Sequence, residues 1–175
     1  MMSATFFQEF FPDYLEHINT EVNGDQIFFH FNTLRTKCDC PACGKPTYKF
    51  KNYYERKIQD LPIINKQLFL MLRLKKFVCE NKQCKKGIFV EPIDELAGKL
   101  SRKTKRLDEL LTRIALTGNA EEGAKTCKAQ KISISGDTLL RIAKGWETDI
   151  NVEDITAVGV DDFAFKKNIA IEQLL

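Results

Sequence analysis

The chain has 175 residues, enough for one or two small domains, with an apolar fraction of 43% and a formal charge of +3. No apolar run approaches the length of a membrane helix, which excludes a helical membrane protein, and the composition is too apolar for a disordered chain. The N-terminus MMSATFFQEF lacks the basic segment, apolar stretch and cleavage site of an export signal, so a cytoplasmic, reducing setting is expected, with thiols free for metal.

The first elements read as β. Tyr14 to Val22 and Gln26 to Phe31 are strand-like and joined by Asn23-Gly24-Asp25, a strong hairpin-turn signal. Phe6-Phe7 and Phe10-Phe11 suit a short helix covering one face. His17 and His30 fall here without spaced partners and are read as packed side chains.

Next comes a split cysteine cluster. Cys40-Pro41-Ala42-Cys43-Gly44 opens it and Cys79-Glu80-Asn81-Lys82-Gln83-Cys84 closes it. Two close pairs separated by a long segment suit a tetrahedral Zn2+ held by four thiolates, each pair presented from a tight turn. Pro presets φ, and Gly takes the positive φ that turns backbone N–H groups toward sulfur. Cys40, Cys43, Cys79 and Cys84 are therefore the expected ligands of a structural zinc ribbon. Cys38 is a competing ligand, two residues before Cys40, and Cys127 reads as a small core residue in a later helix.

Between the pairs, Tyr53 to Pro62 suggests a strand with a turn at the proline. Lys66 to Phe77 alternates, with Leu68, Leu70, Leu72 and Leu74 on one face and Arg73 and Lys75 on the other. The expected module is a small all-β ribbon with one apolar and one basic face, Arg73 and Lys75 being candidate DNA contacts. Lysines and arginines outnumber acids throughout this segment, and Ser101 to Arg106 is basic again. Localised charge of this kind suits a polyanion, or else a solvated surface.

After Pro92 the period changes to that of helices. Leu107, Leu110, Leu111 and Ile114 form an apolar stripe that Gly118 would end. Asn119 with Glu122 resembles a capping box opening a second helix over residues 120–130. Ser135 is the expected N-cap of a third, with Leu139, Leu140, Ile142 and Ala143 as its buried face. Three short helices with a brief turn before the last outline a helix-turn-helix. In that reading Asp137, Thr138, Arg141 and Lys144 face double-stranded DNA, and Lys131 and Ser133 hold a phosphate.

These motifs, in this order, resemble the N-terminal part of the ISL-three family of insertion-sequence transposases. The resemblance rests on Cys-Pro-Ala-Cys-Gly, Asp60-Leu61-Pro62, the basic strand into Phe77-Val78-Cys79, and Ser135-Gly136-Asp137-Thr138-Leu139-Leu140. It also rests on Val158-Gly159-Val160-Asp161-Asp162-Phe163-Ala164-Phe165-Lys166-Lys167, which looks like the first strand of that family's catalytic domain. The resemblance implies an RNase-H-like core whose acidic triad holds two Mg2+ ions in the intact enzyme, with Asp161 as the first carboxylate. It implies that the partner is DNA at the ends of a transposon, and that a homodimer or an association with full-length transposase is possible. Asn168 to Leu175 departs from the family pattern, so the chain is expected to be truncated and inactive alone.

The expected architecture is α+β. It comprises residues 1–92 as hairpin and ribbon, 93–148 as the helix-turn-helix, and 149–175 as an orphan catalytic strand. Two other classes stay open, a free-standing transcriptional regulator and a zinc-stabilised protein-interaction module.

Overall fold

A computed structural model describes residues 4–146. The chain is mixed α+β: a β-rich sheet carrying the ribbon region, and four helices among the described residues. Helix α1 (Ala4–Phe10) precedes strands β1 (Leu15–Asn23) and β2 (Gln26–Thr33). Gly24, at φ 55, turns this hairpin as the sequence predicts.

The ribbon's long strands do not form a separate module. β5 (Phe50–Ile63) and β6 (Lys66–Val78) pair antiparallel, and β6 also pairs parallel with β2, giving the order β1-β2-β6-β5. The all-β ribbon expected here shares its sheet with the first hairpin, with β6 at the centre. The reason is apolar area. Leu68, Leu70, Leu72 and Leu74 all face inward, and Ile27, Phe29 and Phe31 of β2 alternate onto the same face. Phe7 and Phe11 close that core, meeting Phe29 and Phe31 at centroid separations of 4.8 to 6.2 Å. His17 stacks on Phe7 at 3.7 Å, and burial pushes its pKa down.

The turn expected at Pro62 lies further on. β5 runs through Pro62 to Ile63, which an edge strand permits, and the reversal falls at Ile64 and Asn65, with φ of 48 and 55. Ile93, Leu96 and Ala97 pack into the sheet's core.

The helical cluster consists of α2 (Lys105–Thr117), α3 (Ala120–Ala129) and α4 (Gly136–Lys144). Thr104, Asn119 and Ser135 cap them, each accepting a backbone N–H of the first turn. Glu122 pairs with Lys125 Nζ at 2.7 Å, and no bond back to Asn119 completes the expected capping box. Leu107, Leu111, Ala115, Cys127, Ile132 and Leu139 form the buried core. Leu140, expected inside, is exposed. A Cβ on Gly123 would meet Ile114 and Leu139 at 3.0 Å, so the missing side chain lets α3 approach both neighbours.

Polar contacts help seat this cluster on the sheet. Asp60 is wholly buried and accepts from Thr104 Oγ1 at 2.7 Å, from Leu61 N at 2.8 Å, and from both Nε and Nη2 of Arg106. On the surface, Lys131 Nζ reaches Asp25 of the first hairpin turn at 2.8 Å.

Candidate metal centre and basic surfaces

The first knuckle is a miniature hairpin of β3 (Cys38–Asp39) and β4 (Pro46–Thr47). Cys40 N donates to Lys45 O at 2.9 Å and Gly44 N to Cys40 O at 2.8 Å, with Gly44 at φ 69. The second knuckle links β6 to β7 (Ile88–Val90). Cys79 N donates to Gly87 O at 2.6 Å and Cys84 N to Asn81 O at 2.9 Å. Thr47 Oγ1 donates to Val78 O at 2.8 Å, and Val78 N to Lys49 O at 2.9 Å, tying one knuckle to the other.

These turns bring the sulfurs of Cys40, Cys43, Cys79 and Cys84 within 4.8 Å of one another. A tetrahedral zinc with Zn–S bonds of about 2.3 Å sets sulfur–sulfur separations of about 3.8 Å. Cys40 and Cys84 stand 3.8 Å apart and Cys43 and Cys79 3.7 Å, so the donor set fits zinc in both chemistry and size. Cys38 is buried in the same small core but is not among the four.

Ionisation is unevenly shared across the cluster. Hydrogen bonds from the Lys45 backbone and the Asn81 side chain lower Cys43 to about 6. At Cys79 the backbone N–H of Asn81 favours the thiolate. Burial and the thiols of Cys40, Cys43 and Cys84 outweigh it and push the group up to about 12. A cation at the centre resolves that conflict by stabilising every thiolate together.

The predicted DNA contacts fall into two groups. Asp137, Arg141 and Lys144 lie exposed on α4, with Ser133 exposed just before it. Thr138 is half-buried and shares a 2.9 Å hydrogen bond with Ser135. The others are engaged within the protein. Lys131 pairs with Asp25, Lys75 Nζ donates to Arg35 O at 2.7 Å, and the Arg73 guanidinium lies 4.0 Å over Tyr53. Asp161 lies outside the described residues.

Two buried carboxylates, Asp60 and Glu91, stand outside the predicted site residues. Asp60 stands in an Asp-Leu-Pro run that suggests a turn, although its parity with Ile58 places it on the inward face. Glu91 is buried just after the end of β7, beside the end of β2. It accepts from Thr33 Oγ1 at 2.8 Å and from Lys75 N at 2.6 Å, serving strand groups left between the two neighbours of β6.

Comparison with known proteins finds a match to a family model described as the zinc-finger of transposase IS204/IS1001/IS1096/IS1165, over residues 36–84. The matched segment contains all four clustered cysteines. No curated protein and no solved structure matches the chain. Residues 36–84 are thus similar to that transposase zinc finger, and their clustered sulfurs are consistent with a structural Zn2+.

Proposed function

We propose that this chain binds double-stranded DNA at the terminal repeats of an insertion element. Zinc on Cys40, Cys43, Cys79 and Cys84 fixes the ribbon, and α2, α3 and α4 act as a helix-turn-helix. The observation that carries this reading is the transposase-type zinc-finger match over residues 36–84, together with the convergence of its four sulfurs. The form of α4 supports it. Leu139 anchors the helix to the cluster, while Arg141 and Lys144 project from its exposed side. A short helix held this way presents side chains to a major groove, where an arginine reads guanine through two parallel hydrogen bonds. Ser133 would meet a phosphate beside it, positioning the helix without reading sequence.

The test is a gel-shift titration with the inverted repeats flanking the gene, against a duplex of scrambled sequence, with and without a zinc chelator. Specific binding is expected. Arg141→Ala should lose about 1–3 kcal/mol and relax preference at one base position. Equal affinity for both duplexes, insensitive to Arg141, would overturn the reading.

A further inference from the structure

β5 is the terminal strand of its sheet, and its free edge changes character along its length. Around Gln59 the edge is covered: Gln59 N donates to Arg102 O and Gln59 O accepts from Thr104 N, both at 2.9 Å. From Phe50 to Glu55 no strand pairs with that edge among the described residues. The chain there reads Tyr48-Lys49-Phe50-Lys51-Asn52-Tyr53-Tyr54, aromatic rings interleaved with lysines. All four rings are 41% to 67% exposed.

Their arrangement gives two platforms. A bulge between Phe50 and Asn52 brings Phe50 beside Tyr53, with ring centroids 5.0 Å apart and the Arg73 guanidinium 4.0 Å over Tyr53. Tyr54 alternates to the other face, where it lines a cavity of about 510 Å³ with Lys76 Nζ 5.3 Å over its ring. Lys51, Lys86 and Lys99 also line the cavity and enter no ion pair among the described residues, while exposed Ile88 and Leu100 supply apolar wall.

A partner must satisfy both the rings and the cations. A duplex presents phosphates outward and keeps its bases stacked inside, so it would use the lysines and leave the rings in water. An unpaired strand offers a base face and a phosphate at every step. A second copy of the chain adding a strand is opposed by Lys49 and Lys51, since lysines on an open edge discourage pairing.

We infer that the open edge of β5 and its adjoining cavity form a site for single-stranded DNA, bases stacking on Tyr53 and Tyr54 and phosphates meeting Lys51, Lys86 and Lys99. The site is remote in sequence from α4 and does not rest on duplex recognition by that helix. The zinc-loaded full chain should be titrated by fluorescence anisotropy with labelled oligothymidine of about fifteen nucleotides, and with a blunt duplex of equal length and unrelated sequence. The single strand should bind more tightly than that duplex. The double variant Tyr53→Ala/Tyr54→Ala should weaken single-strand binding about tenfold or more, with duplex binding unchanged. Tyr53→Phe/Tyr54→Phe, which keeps the rings, should retain affinity. Lys51→Ala/Lys86→Ala should lower affinity and flatten its salt dependence. Zinc content and circular dichroism report whether each variant is folded. Preference for the duplex, full single-strand affinity in the alanine variant, or equal losses on both probes would overturn the site. So would self-association through this edge in place of DNA binding. Loss of terminal-repeat recognition through Arg141→Ala would leave the oligothymidine result standing, so the two readings fail separately.

Discussion

Strands β5 and β6 pass through two environments. Along most of their length they lie over the leucines and phenylalanines of the sheet core, where Leu70 and Ile58 are wholly buried. At the far end, among the described residues, the buried apolar side chains are Phe77 and Phe89, joined by Cys38 and Cys40. The core end holds itself by removing apolar area from water. The ribbon end has too little area for that, and its turns are pinned through sulfur. One pair of strands therefore carries two kinds of stability, only one of them dependent on a metal.

The sharpest break in this comparison is removal of zinc. Structural zinc is worth about 10 kcal/mol or more to a small ribbon at neutral pH. Chelation should abolish hydrogen-exchange protection at Cys40 and Cys79 while Leu70 and Leu72 keep theirs. Cys40→Ser should do the same, whereas Cys38→Ser should retain one zinc per chain. Acid should act like the chelator. Metal binding requires thiolates, and Cys79 stands near 12 without metal, so affinity falls as pH falls and a zinc titration should show proton release.

The reverse break is in the core. Leu72→Ala should destabilise the sheet by about 2–5 kcal/mol in a denaturant titration, leaving zinc stoichiometry unchanged under native conditions. The contact between sheet and helices should give an asymmetric result. Arg106→Met leaves the buried Asp60 carboxylate without its cation and should cost about 3 kcal/mol. Asp60→Asn leaves an arginine that already reaches water and should cost less, about 1–2 kcal/mol. Equal losses would mean that the unpaired Asp60 carboxylate carries no penalty beyond that of the unpaired arginine.

The smallest effect is expected at Lys131→Met. Its partner Asp25 is exposed, and the hydrogen bond from Lys131 lowers the Asp25 pKa. A lowered carboxylate contributes fully at neutral pH and loses that contribution as acidification passes through its folded value. For so exposed a pair, the midpoint of thermal unfolding should hardly move.

Local chemistry was readable before the structure, and partnership was not. Asn23-Gly24-Asp25, the caps Asn119 and Ser135, and the cysteine spacing each act within a few residues, so their signals sit in the sequence itself. The alternation of Leu68 to Leu74 announced a strand with a buried face, but nothing in that period says that Ile27, Phe29 and Phe31 complete the face. Pro62 suggested a turn because proline cannot donate to a ladder, yet on an edge strand no donor is required there. Asp60 was obscured by the same Asp-Leu-Pro run. Its partner Arg106 lies 46 residues away, beyond the reach of any local pattern.

The parallel pairing of β2 with β6 sets an order of events as the chain is made. Ile27 must wait for Leu68, and between them lie the first knuckle and the whole of β5. A nascent hairpin of β1 and β2 therefore emerges with Phe29 and Phe31 covered on one side by Phe7 and Phe11 and without the leucines of β6. High contact order of this kind slows folding and exposes sticky intermediates. The second knuckle follows β6 directly, so the residues that complete the metal site arrive just after the strand that completes the sheet. Metal capture at Cys79 and Cys84 would then shorten the loop between β2 and β6 in effect, making the late arrival of zinc a brake on refolding as well as a lock on the finished fold.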